Sequence, residues 1–175
     1  MDKSKQIDEI WLDGYNLEKL NELQEIYQPI EETGKDQYRP YFEFANGEYT
    51  NVKFLKRYIH MIKELLVSNY GHIKYNGRII SSTLVADGPN RGINGGKYDH
   101  YREILFPDIS IKSHAFFTYR LVAEVWCKNP DLNKYTTVHH IGNDSYDNKN
   151  NLLFVTNKQH FLIIHNKSKK PIKKL

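Results

Sequence analysis

The sequence predicts an α+β protein, and three observations predict it. Apolar residues recur at helical spacing in the first third and again after residue 113. The middle holds an Asn-Gly pair between two short β-branched runs. Residues 135–165 then pass from strand to polar loop to strand and into a capped helix. The 175 residues are 39% hydrophobic and 26% charged, a globular mixture rather than that of a disordered chain.

Taken in order, Asn16 is placed to cap a helix carrying Leu17, Leu20, Leu23, Ile26 and Tyr27, ended near Pro29. Glu31 to Arg39 reads as a polar connection. Asn51 is placed to cap a second helix with Leu55, Tyr58, Ile59, Ile62, Leu65 and Leu66 on one face. Its other face carries Lys53, Lys56, Arg57 and Lys63, which an ordinary solvated face explains. His72 to Tyr75 and Arg78 to Ile80 flank Asn76-Gly77, the preferred pair for a tight hairpin turn. The Gly-rich run Asp87 to Gly96 lacks the Gly-Lys-Ser/Thr ending of a phosphate loop, so it reads as a loop. Tyr101 to Phe106 and Ile109 to Lys112 read as strands. From Ser113 a helix carries Leu121, Val122, Val125 and Trp126 on one stripe and stops at Asn129-Pro130. Glu124 and Lys128, four apart, are expected to pair on its surface.

Charge is unevenly spread. The net charge is +4, but residues 1–50 hold five basic and twelve acidic side chains, a balance of −7. The remainder is at +11, which suits contact with a polyanion. The last nine residues, Lys167 to Leu175, hold five lysines and no acid, a basic arm. The 13 tyrosines serve a core by default, although such rings also stack on nucleic acid.

Several classes fall away. One cysteine, Cys127, makes neither an internal disulfide nor a Cys-rich zinc cluster. No apolar run approaches the ~20 residues of a membrane span. The opening residues Met1 to Ile10 lack the apolar centre of a signal peptide. A soluble, cytoplasmic protein with no membrane partner is expected.

The chemistry concentrates in Tyr135 to His165. Thr156 stands three residues before Gln159, a capping-box pattern that places His160 in the first turn of a helix. His139 and His140 end the first strand, before the polar loop Gly142 to Asn150. Four histidines in 27 residues invite a metal. His160 and His165, five apart, stand about 140° around a helix axis, so only one of them should face the strand histidines. His139 and His140 are neighbours, and neighbours on a regular strand point to opposite faces, so both serve one site only if the strand twists or ends there. A structural zinc site would need two further ligands at zinc spacing. Asp144 and Asp147 are better read as loop-bracing residues than as ligands.

These residues carry a resemblance. Val138-His139-His140-Ile141, Asp147-Asn148, Asn151 to Thr156 and Gln159-His160 resemble, in that order and spacing, the HNH endonucleases of phage and intron-associated homing type. These share the ββα-metal (His-Me finger) fold. Tyr119 to Trp126 with Asn129-Pro130 resembles the helix preceding the motif, and Val67 to Lys74 looks like the modular motif ahead of such domains. The resemblance covers roughly residues 65–166.

Charge, periodicity and this resemblance together divide the chain into four parts: an acidic helical region at 1–66, a β-rich DNA-binding connector at 67–112, a nuclease module at 113–166, and a basic tail at 167–175. The resemblance implies His140 as the general base, Asn151 as the brace of the loop and of the base, and His139 and His160 as ligands of one divalent ion. His139 stands where many relatives have Asp. An imidazole brings no negative charge, which weakens Mg²⁺ binding relative to Mn²⁺ or other transition metals. The implied activity is hydrolysis of double-stranded DNA by a monomer, one strand per event, leaving a 5′-phosphate and a 3′-hydroxyl. Lys74, Arg78, Arg91, Lys97, Arg120, Lys167, Lys169 and Lys170 are the candidate DNA contacts, mostly to phosphate. The rivals are a DNA-binding protein of the same fold without cleavage, and a nuclease of broad rather than site-selective action.

Overall fold

The computed structural model describes residues 34–86, 100–107, 109, 116–141 and 146–160. The expected first helix, the Gly-rich run, most of the strand at Ile109 to Lys112 and the basic tail lie outside them. So do Asp144, His165, Arg91, Lys97, Lys167, Lys169 and Lys170.

The architecture is mixed α+β with antiparallel sheets. Strands β1 (Tyr38–Pro40), β2 (Leu65–Ser68), β3 (Ile73–Tyr75) and β4 (Arg78–Ile80) form a four-stranded sheet in that order. Strands β5 (Thr83–Ala86), β6 (His100–Ile104) and β7 (Phe116–Phe117) form a second sheet. Strands β8 (Thr137–His140) and β9 (Leu152–Val155) form a separate antiparallel pair. Helices α1 (Tyr41–Phe44), α2 (Thr50–Lys56) and α3 (Thr118–Trp126) accompany these strands, with a 3₁₀ turn at Lys149–Asn151. The chain is helical again from 157 to 160. Among the described residues, no helix is long and apolar enough to cross a membrane.

Helix α3 organises the core. Leu121, Val122, Ala123 and Val125 are buried, and the helix packs against α1, β2, β6 to β9 and the 3₁₀ turn. Trp126 Nε1 donates to the Val67 carbonyl at 3.0 Å, and the Cys127 thiol lies 3.6 Å from the carbonyls of Lys149 and Leu152. The Trp126–Val67 bond crosses the boundary expected between connector and module.

The Asn76-Gly77 turn is as expected. Both residues have positive φ, 48° and 81°, which matches the twist of β3 and β4. Asn76 does more than turn the chain. Its Oδ1 accepts the backbone N–H groups of Lys63 and Glu64 at 2.7 and 3.0 Å, and its Nδ2 donates to Met61 O at 3.0 Å.

That anchoring bears on the largest departure from expectation. The second helix ends at Lys56 rather than running to Leu66, and residues 57–61 form turns. Leu65 and Leu66 belong to β2, paired with Tyr75 and Lys74. Ile59 is 51% exposed rather than on a core face. Ladder bonds to strands on both sides of β2 outweigh the local helical periodicity. The helix cap is Tyr49, not Asn51, whose side chain instead donates to Glu124 Oε1 at 3.1 Å. Glu124 itself is buried rather than paired with Lys128 on the surface. Its Oε1 also accepts the Tyr41 hydroxyl at 2.9 Å, and Oε2 lies 3.6 Å from Arg120 Nε. Burial holds the Glu124 carboxyl above its ordinary range, against the pull of Arg120 and these hydrogen bonds.

Candidate functional site

The site grows from the β8–β9 pair. His139 and His140 are the last two residues of β8, opposite Leu153 and Leu152. Each is only 4% exposed. Neighbours on a strand diverge, and here each meets a different partner. The His139 ring lies edge-to-face with that of His160 at 5.5 Å between centroids. His140 Nε2 lies 3.0 Å from Asp147 Oδ1. Tyr119 meets the His140 ring at 4.8 Å, edge-on, and Tyr101 meets it at 5.5 Å.

Asn151 is fully buried at the end of the 3₁₀ turn. Its Nδ2 donates to Tyr146 O at 2.7 Å, and its carbonyl accepts Ile141 N–H at 2.8 Å. Asn151 thus ties the end of β8 to the loop segment that carries Asp147.

His160 owes its place to the helix start. Gln159 N donates to Thr156 Oγ1 at 3.0 Å, and Thr156 N donates to Gln159 Oε1 at 2.8 Å. This reciprocal pair is the expected capping box. Gln159 is 3% exposed, and Thr137 on β8 hydrogen-bonds to Asn157 at the same helix start. Both ends of the His139–His160 contact are therefore pinned.

The site loop also leans on the connector. Lys149 N donates to Asn69 O at 2.9 Å. Gly71 has φ +92°, and a Cβ there would stand 3.2 Å from the Cβ of Asp147. Glycine serves both the turn and the close approach.

Asp147 is the residue that sequence reasoning undervalued. It is 4% exposed, and burial raises its carboxyl above the usual range, while His140 and the charge of Arg102 draw it down. Its Oδ2 has no hydrogen-bond partner among the described residues. Tyr101, Tyr119 and Arg102 were likewise missed as neighbours of the site. Their contacts reach the end of β8 and its loop from β6 and α3, far off in sequence.

The basic candidates divide. Arg78 is exposed on β4, and Lys74 Nζ sits 4.5 Å over the Tyr38 ring. Arg120 is largely committed within the protein: Nη1 donates to Thr136 O at 2.7 Å, and Nε faces Glu124.

The described residues contain no group of three or more His, Cys, Asp or Glu placed to hold a metal ion. His139 and His160, with ring centroids 5.5 Å apart, are the two side chains that would hold one. Imidazoles sharing an ion at ~2.1 Å per nitrogen place their centroids roughly 5 Å apart, close to the spacing found. Neutral nitrogen donors favour Mn²⁺ and later transition metals over Mg²⁺. No protein-family model, curated protein or solved structure matches the chain.

Proposed function

We propose that this chain is a metal-dependent endonuclease that nicks double-stranded DNA, with residues 137–160 acting as a ββα-metal module of HNH type. The observation that carries the reading is one strand end bearing two histidines with separate partners, His140 on a buried carboxylate and His139 on the first-turn histidine of the following helix. Strand, loop, strand and helix follow in the order that the HNH resemblance implies. The basic balance of residues 51–175 supports a nucleic-acid substrate.

In this reading His140 receives the proton of the attacking water. With Nε2–H donated to Asp147, the ring presents Nδ1 as its basic nitrogen. The water oxygen bonds to phosphorus, its proton passes to Nδ1, and the bond to the 3′ oxygen breaks. The 3′ oxygen then takes up a proton, leaving a 3′-hydroxyl and a 5′-phosphate. Asp147 fixes the tautomer and stabilises the imidazolium, as a carboxylate beside a catalytic histidine does. Asn151 keeps the loop in register without adding a charge. Tyr119 and Tyr101 limit rotation of the imidazole. His139 and His160 would hold the ion, whose chemistry is to stabilise charge on the scissile phosphate and the leaving oxygen.

The test uses supercoiled plasmid and a library of randomised duplexes, each with Mg²⁺, Mn²⁺ or EDTA. Metal-dependent open circles or nicked duplexes are expected, stronger in Mn²⁺. A gel shift on duplex DNA with no nicking in any metal would replace this reading with the non-cleaving DNA-binding protein.

A further inference from the structure

The Trp126 indole carries two cations. Arg39 Cζ lies 3.8 Å from its centroid, and Lys149 Nζ lies 5.3 Å from it. The Phe44 ring stands 4.8 Å from the same guanidinium. The indole is fixed by its bond to Val67 O, and Lys149 is fixed by its backbone bond to Asn69 O. Arg39 itself sits on β1, which among the described residues is an edge strand paired with β2. Among the described residues its guanidinium meets no carboxylate, unlike Arg120 on Glu124 or Lys53 on Glu48.

Packing alone accounts for part of this, because an arginine stem covers an indole well. It does not account for the guanidinium's charge. A planar guanidinium held over the ring, with no carboxylate against it among the described residues, presents donors suited to a two-oxygen anion. Lys149 belongs to the 3₁₀ turn that ends at Asn151, so the patch adjoins the candidate site loop.

We propose that Arg39, seated on Trp126 with Lys149 beside it, is a phosphate-binding site for the backbone of duplex DNA, separate from the position where the strand is cut. The identity of the polyanion rests on the DNA reading above, but the test does not use cleavage.

Anisotropy of a labelled mixed-sequence duplex is measured in EDTA, from about 50 to about 300 mM salt. Losing one phosphate contact lowers the slope of log K against log salt by about 0.9. Arg39→Gln and Lys149→Gln are each expected to lose about that much slope and to weaken binding similarly on unrelated sequences. Arg39→Lys keeps the charge but loses the planar fork, so its slope should match the wild type while affinity falls several-fold. Melting curves identify any variant that fails to fold, and the remaining two then carry the test.

Wild-type slope and affinity in folded Arg39→Gln, or in Arg39→Lys and Lys149→Gln together, would overturn the proposal. So would absence of salt-dependent duplex binding by the wild type. A reduced slope in Arg39→Gln, in a protein that nicks nothing in any metal, would uphold this site and sink the nuclease reading. Normal nicking with an unchanged slope would do the reverse.

Discussion

His140 and Asp147, seven residues apart, face each other across the site loop, with Nε2 3.0 Å from Oδ1 and both side chains almost wholly buried. An ionised carboxylate at that position favours the tautomer that carries its proton on Nε2.

Asp147→Asn should therefore lower the nicking rate with little change in DNA affinity. An amide can present its NH₂ to Nε2 and reverse the tautomer, an effect that reaches about 10⁴-fold in a serine-protease triad. Single-turnover rates measured beside gel-shift affinities check it. Equal losses in both would show that Asp147 only holds the loop together.

Thr156→Ala removes one half of the capping box and should cost about 1 kcal/mol in urea denaturation. Because the same box positions His160, Mn²⁺ affinity should fall as well. A destabilised protein with unchanged Mn²⁺ titration would separate the cap from the proposed ligand.

Gly71→Ala meets two obstacles, a positive φ and a close approach to Asp147. A loss of about 1–3 kcal/mol is expected. Nicking should fall further than stability explains, because Asp147 is the residue displaced. Nicking at the wild-type rate by the folded fraction would contradict the link between turn and site.

These residues also show which parts of the molecule local sequence can disclose. The Asn76-Gly77 turn, the Thr156–Gln159 box and the β8–β9 pair depend on near neighbours, and each is legible as a short pattern. Leu65 and Leu66 continue a helical period from Leu55, yet strand pairing takes them, because β1 and β3 supply hydrogen bonds that no local pattern reveals. Strands β1 and β7 have no local signature for the same reason. Asp147 reads locally as a loop carboxylate only, since its burial depends on Gly71 and on His140 turning toward it.

Glu124 offers a pH test with a definite sign. Burial raises its folded-state pKa above 4.5, so the folded protein binds its proton more readily than the unfolded chain does. Its contribution to stability is greatest below 4.5 and is lost as pH rises through the raised value. Relative to wild type, Glu124→Gln should therefore gain stability as pH rises from 4.5, in denaturation curves taken across that window. A difference independent of pH would mean that Glu124 titrates normally.

The most direct measurement is metal-dependent nicking by His140→Ala beside the wild type, on the same DNA and with binding measured in parallel. Nicks are expected from the wild type in Mn²⁺, none in EDTA, and none from His140→Ala although it still binds duplex DNA. Nicking by His140→Ala at the wild-type rate would contradict the assignment of His140 as the base.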